Sequence, residues 1–153
     1  MSVLDDLQVA IEQYDTNKCR TEIVNFSIDS GGTILNEGET FKFRVKVTNE
    51  GHLTMRNIRL QALGTVYADV RLDDPALPWG SSATSGPFDL TLGVGESHVT
   101  GIFRGRAKAV TPGPQDIVKA RISQWDASLD HILTVHADSG VAEGKLTKVI
   151  EPD

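Results

Sequence analysis

The sequence predicts an all-β protein, an immunoglobulin-like antiparallel β-sandwich behind a short N-terminal amphipathic helix. Three observations carry this. Residues 2–15 place apolar side chains three and four apart, most later segments alternate apolar and polar residues, and turn-forming residues punctuate that alternation every few residues.

The helix comes first. Leu4, Leu7, Ile11 and Tyr14 fall on one helical face; Ser2 is placed to cap the start, and Asp5 and Asp6 sit near the positive end of the helix dipole. About four turns are marginal in isolation. The stripe therefore needs a partner, either the chain's own sandwich or a neighbouring subunit, and these four residues are the preferred contacts. Residues 1–18 are read as this helix and 19–153 as a single sandwich domain.

From Lys18 onward the period is two. Ile23 to Ile28 reads as a strand closed by Ser30-Gly31-Gly32, and Asn36-Glu37-Gly38-Glu39 as a turn in which Gly38 takes positive φ. The strand over 41–47 is the clearest: Phe41, Phe43, Val45 and Val47 alternate with Lys42, Arg44 and Lys46. A slip of one residue would turn all four apolar side chains outward. Its cations are expected to form a solvated face.

After Asn49-Glu50-Gly51, Ile58, Leu60 and Ala62 resume the alternation, and Val66, Ala68, Val70 and Leu72 follow with Tyr67, Asp69 and Arg71 on the opposite face. Residues 73–87 hold three prolines and two glycines and read as the longest loop. Phe88, Leu90, Leu92 and Val94 make a further strand, then Val99 to Val110, with Phe103, Ala107 and Ala109 inward. Pro112-Gly113-Pro114 breaks the pattern. Ile117 to Trp125 and His131 to Ala137 surround an expected turn from Asp126 to Asp130, and Lys145 to Ile150 is a strand or an arm. Eight or nine short strands without intervening helices point to a sandwich.

Two segments carry a resemblance. Val45 to Gly51 followed by Met55-Arg56-Asn57-Ile58, and Leu90 to Ser97 followed by Val99 and Phe103, are similar to the strand–turn–strand segments of bacterial immunoglobulin-like domains of the CARDB and NEW3 type. The resemblance implies a spacer, adhesive module or assembly part that binds without chemistry.

Composition excludes some classes. Fifteen Lys and Arg against twenty-one Asp and Glu give a formal net charge of −6, which disfavours nucleic acid. No apolar run approaches the length of a membrane span, and the acidic N-terminus is unlike a secretory signal. A product of cytoplasmic synthesis is expected, with signal-independent export left open. Cys19 and the four histidines form no nucleophile or zinc motif, and the glycine pairs lack the lysine and hydroxyl of a phosphate loop. The chain is read as a non-enzyme.

What remains is an interaction module, a self-associating component of a larger assembly whose partners are proteins and which needs no cofactor. The alternative is a calcium- or carbohydrate-binding module. Asp73 and Asp74 enter the long loop and Asp126 and Asp130 surround the expected turn, so their carboxylates would converge on a calcium ion if those loops met at one end. Trp79 would be the aromatic platform for a sugar, or else a cover for the open edge of the core. Trp125 is expected between the sheets.

Overall fold

The computed structural model describes residues 19–51, 54–129, 133–137 and 143–153. The expected helix, with Leu4, Leu7, Ile11 and Tyr14, lies outside them, as does Asp130. The described elements are strands in antiparallel sheets, apart from one short parallel pair.

The chain runs through β1 (Arg20–Ile28), β2 (Leu35–Asn36), β3 (Thr40–Thr48) and β4 (Thr54–Gly64). It continues through β5 (Ala68–Leu72), β6 (Ser82–Leu92), β7 (Ser97–Val99) and β8 (Phe103–Ala107). The long β9 (Gln115–Leu129) is followed by β10 (Leu133–Ala137), β11 (Gly144–Lys148) and β12 (Ile150–Glu151). One sheet has the order β1-β3-β8-β5, with β7 also on β3; the other has β10-β9-β4-β6, with β11 also on β9.

The alternation of β3 is realised in full: Phe41, Phe43, Val45 and Val47 are completely buried while their neighbours are half-exposed. Met55, Ile58, Leu60 and Ala62 answer from β4, and Ile117, Ala120, Ile122 and Trp125 from β9, so the two sheets share one core. Burying a large apolar side chain stabilises by about 1.5–3 kcal/mol. Phe43 stacks on Phe103 at 5.6 Å and Phe26 tilts over Phe41 at 5.5 Å. The inward phase of β4 shifts by one residue between Met55 and Ile58, where Asn57 takes φ 52° in a bulge; Asn25 (φ 56°) does the same in β1.

Several boundaries differ from expectation. The loop after β5 ends by Ser81, because Ser82 to Ser85 pair with Leu60 to Leu63 despite their small polar side chains. Backbone pairing at an edge needs no apolar alternation, and an edge strand tolerates Pro87. Val66 sits in a turn and is 73% exposed. The expected strand from Val99 to Val110 is two strands, broken around Thr100 and Gly101. Phe103 and Ala107 face inward as expected, whereas Ala109 lies beyond the strand and is only half-buried; Gly105 is the inward position between the first two, and the Phe41 ring occupies the space a side chain there would take. Asp126 is no turn residue: it lies within β9, paired with Arg56 of β4 and His136 of β10, and a two-sided backbone ladder carries the strand through this polar stretch.

The expected strand or arm from Lys145 to Ile150 is strand, divided between β11 and β12. β11 pairs with β9, and β12 runs parallel to β2, with Ile150 fully buried. The Ile150 N–H donates to Thr111 Oγ1 at 3.0 Å, and the Thr111 N–H to the Ile150 carbonyl at 3.1 Å.

Candidate functional site: a cationic sheet face

The outward side of β3, β8 and β5 concentrates positive charge. β3 presents Lys42, Arg44 and Lys46, β8 presents Arg104 and Arg106, and β5 presents Arg71 with a single carboxylate, Asp69. Pleating put them there: each cation alternates with residues on the core-facing side of its strand. In the register, Lys42 lies opposite Arg104 and Arg104 opposite Arg71, so three cations form one row across three adjacent strands. Like charges directly opposite are unfavourable in a sheet.

Part of this charge is balanced. Arg104 donates to Asp29 at 2.5 Å, with Asp73 3.8 Å away on its other side, and Asp29 also accepts from the Thr40 hydroxyl. Asp69 receives Lys108 at 2.9 Å and Arg106 at 3.2 Å. Burial works to raise the Asp69 carboxyl, but the hydrogen bonds and charges of Lys108 and Arg106 outweigh it and hold it below its ordinary 3.8. Among the described residues Lys42, Arg44, Lys46 and Arg71 form no ion pair; Arg44 donates instead to the Thr100 carbonyl at 3.2 Å and Arg71 to the Leu77 carbonyl at 3.0 Å.

Trp79 borders this face. The bridge between Val70 and Gly80 lays the residues before Gly80 along the free edge of β5, which sets Trp79 beside Arg71. The Arg71 guanidinium lies 4.1 Å from the ring centroid and that of Arg106 5.1 Å. The ring is thus a half-buried cation–π partner beside the sheet and no part of the core cluster. Any sugar placed on Trp79 would share the ring with these cations.

Asp73 and Asp74 each have a local partner. Asp73 serves Arg104, and Asp74 Oδ1 accepts from the Ala76 N–H at 2.9 Å, a side-chain turn of the kind aspartate makes in loops. Both follow β5 of one sheet, whereas Asp126 belongs to β9 of the other. Among the described residues no group of three or more His, Cys, Asp or Glu is arranged to hold a metal ion, and no helix is long and apolar enough to cross a membrane. Cys19 is buried. Trp125, as expected, stands between the sheets, 3% exposed.

Sequence reading found the cations of β3 but not the face. Lys42, Arg44 and Lys46 announce themselves by alternation. Arg71, Arg104 and Arg106 become their neighbours only through pairing of distant segments. No protein-family model matches the chain, and no curated protein matches it.

Proposed function

We propose that this chain is a non-enzymatic protein-interaction module on an immunoglobulin-like β-sandwich, a self-associating component of a larger assembly. Its cationic face is the docking surface for the acidic exterior of a second copy. The orders β1-β3-β8-β5 and β10-β9-β4-β6 support the immunoglobulin-like reading: β3 and β4 are successive strands in opposite sheets, and β8 and β9 repeat that crossing. The resemblance to CARDB-type domains agrees with it.

The observation that carries the proposal is the imbalance on three adjacent strands, six cations and one carboxylate in a chain of formal net charge −6. An acidic protein that keeps Lys42, Arg44, Lys46 and Arg71 on one face without an ion pair among the described residues accepts local repulsion, and an acidic partner relieves it. The rest of a second copy supplies that acidity.

Light scattering at about 50 mM and about 500 mM salt tests this, because exposed charge pairs weaken as the screening length contracts. A low-salt oligomer that dissociates at high salt, and that Lys42→Glu with Lys46→Glu abolishes without loss of the β-sheet spectrum, is the expected result. A chain that stays monomeric at low salt and high concentration contradicts the proposal.

A further inference from the structure

Many described carboxylates stand against a cation of their own chain, as Asp29 does against Arg104 and Glu50 against Arg20. Glu37, Glu39, Glu151 and Asp153 do not, and the pairing of β2 with β12 gathers them at one end of the sandwich. The Glu37 N–H donates to the Glu151 carbonyl at 2.8 Å, the Glu39 carboxylate accepts from the Asn36 N–H at 2.8 Å, and Asp153 follows two residues on. Glu37, Glu151 and Asp153 are exposed. Two lysines adjoin this rim. Lys108, next to the Ala107 that bonds Gly38 and Glu39, is held by Asp69 at 2.9 Å. Lys148 lines a groove with Glu151 but stands 4.5 Å from the Phe26 ring centroid, and it forms no ion pair among the described residues. Four carboxylates thus stand against one unpaired lysine. The other described carboxylates without an ion pair are dispersed: Asp74 and Glu96 accept backbone N–H groups of their own turns, and Asp89 lies on β6.

We propose that this rim is what the cationic face holds on the second copy, so that copies join head to tail. The inference rests on the face being a docking surface for the same chain, and it adds the surface docked and the symmetry. Face against face would oppose two rows of Lys42, Arg104 and Arg71, and rim against rim two sets of carboxylates; only rim against face brings opposite charges together. Spacing agrees as well. The rim is built on one strand pair and the row on adjacent strands, and neighbouring strands lie about 4.8 Å apart in both. A contact between two different patches leaves every pair with one free face and one free rim, so assembly passes beyond a dimer until a ring closes or a filament grows.

Sedimentation velocity at about 50 mM salt over rising protein concentration tests this in the full chain. The parent is expected to reach masses beyond a dimer. Glu37→Gln, Glu151→Gln and Asp153→Asn together should leave a monomer with its β-sheet spectrum intact, since the bonds joining β2 to β12 are backbone to backbone. Mixed in equal amounts with Lys42→Glu, Lys46→Glu, which keeps its rim, this variant should form a one-to-one dimer that grows no further. Glu22→Gln, Glu50→Gln and Asp89→Asn together change the net charge equally and should assemble like the parent. A parent that stops at a dimer would overturn the head-to-tail inference while leaving the cationic face as the docking surface. So would a rim variant that assembles like the parent while Lys42→Glu, Lys46→Glu stays monomeric, or a control that loses assembly as fully as the rim variant. A parent that stays monomeric overturns both readings.

Discussion

Asn49 reaches from the end of β3 to Leu92 at the end of β6: its Nδ2 donates to the Leu92 carbonyl at 3.0 Å while its Oδ1 accepts from the Gly51 N–H at 2.9 Å. Its backbone completes the joint, donating to the Glu96 carbonyl and accepting from the Gly95 N–H. The side chain is fully buried. Asn49→Leu would strand two buried partners and should destabilise the fold by about 2–6 kcal/mol, at about 1–3 kcal/mol for each unsatisfied group. Urea midpoints at unchanged slope would measure it, and a loss under about 0.5 kcal/mol would refute this role.

Thr100 repairs the break between β7 and β8. Its hydroxyl accepts from the Val45 N–H at 3.0 Å, and its own N–H donates to the Val45 carbonyl at 2.9 Å, so a side chain takes the place of a missing ladder bond. Thr100→Val removes that acceptor at a buried site and should cost about 1–3 kcal/mol. Thr100→Ser should stay within about 1 kcal/mol of the parent, losing a methyl but keeping the bond. Equal losses in both variants would show that packing, not the hydrogen bond, matters there.

Gly105 should tolerate no side chain while Phe41 keeps its ring. A Cβ at Gly105 would lie 2.2 Å from the ring, so Gly105→Ala is expected to destabilise by about 1–3 kcal/mol or more through overpacking. Phe41→Leu makes room at its own cost. The two changes together should be less harmful than the sum of the single effects, and strict additivity in thermal melts would contradict this coupling.

Asp69 gives an acid-side prediction. Its folded carboxyl sits below its ordinary 3.8, so its stabilising contribution is present above that value and is lost as pH falls through the lower folded one. Asp69→Asn should therefore be less stable at neutral pH, by about 1 kcal/mol or less for a pair this exposed. The gap should hold down to that ordinary value and close only at a pH beneath the lower folded one. Parallel denaturation curves at both pH values check it; a gap that persists in acid would locate the effect elsewhere.

The sequence reads well where one strand's own pattern decides the outcome. Phe41 to Val47 alternate without interruption, and each goes to the predicted face. Legibility fails where pairing overrides pattern. Ser82 to Ser85 and Asp126 look like loop because their side chains are polar, yet strands flanking them on one or both sides supply the backbone bonds. Thr100 and Asn57 interrupt the alternation by one residue, and a single polar residue within an apolar run does not reveal whether the backbone will bulge. The cationic face was half legible for the same reason: Lys42 and Arg104 are distant in sequence and adjacent only in the sheet.

The parallel pairing of β12 with β2 bears on the order in which the chain can be completed on the ribosome. Leu35 and Asn36 emerge early, whereas Ile150 and Glu151, their partners, lie far downstream. Until then one end of the core, including the site that Ile150 fills, stays open to water. Such long-range closure slows folding. A nascent chain stalled before Thr147 should hold its central strands yet remain sensitive to protease around 29–36, and release of the remaining residues should seal that end like a latch.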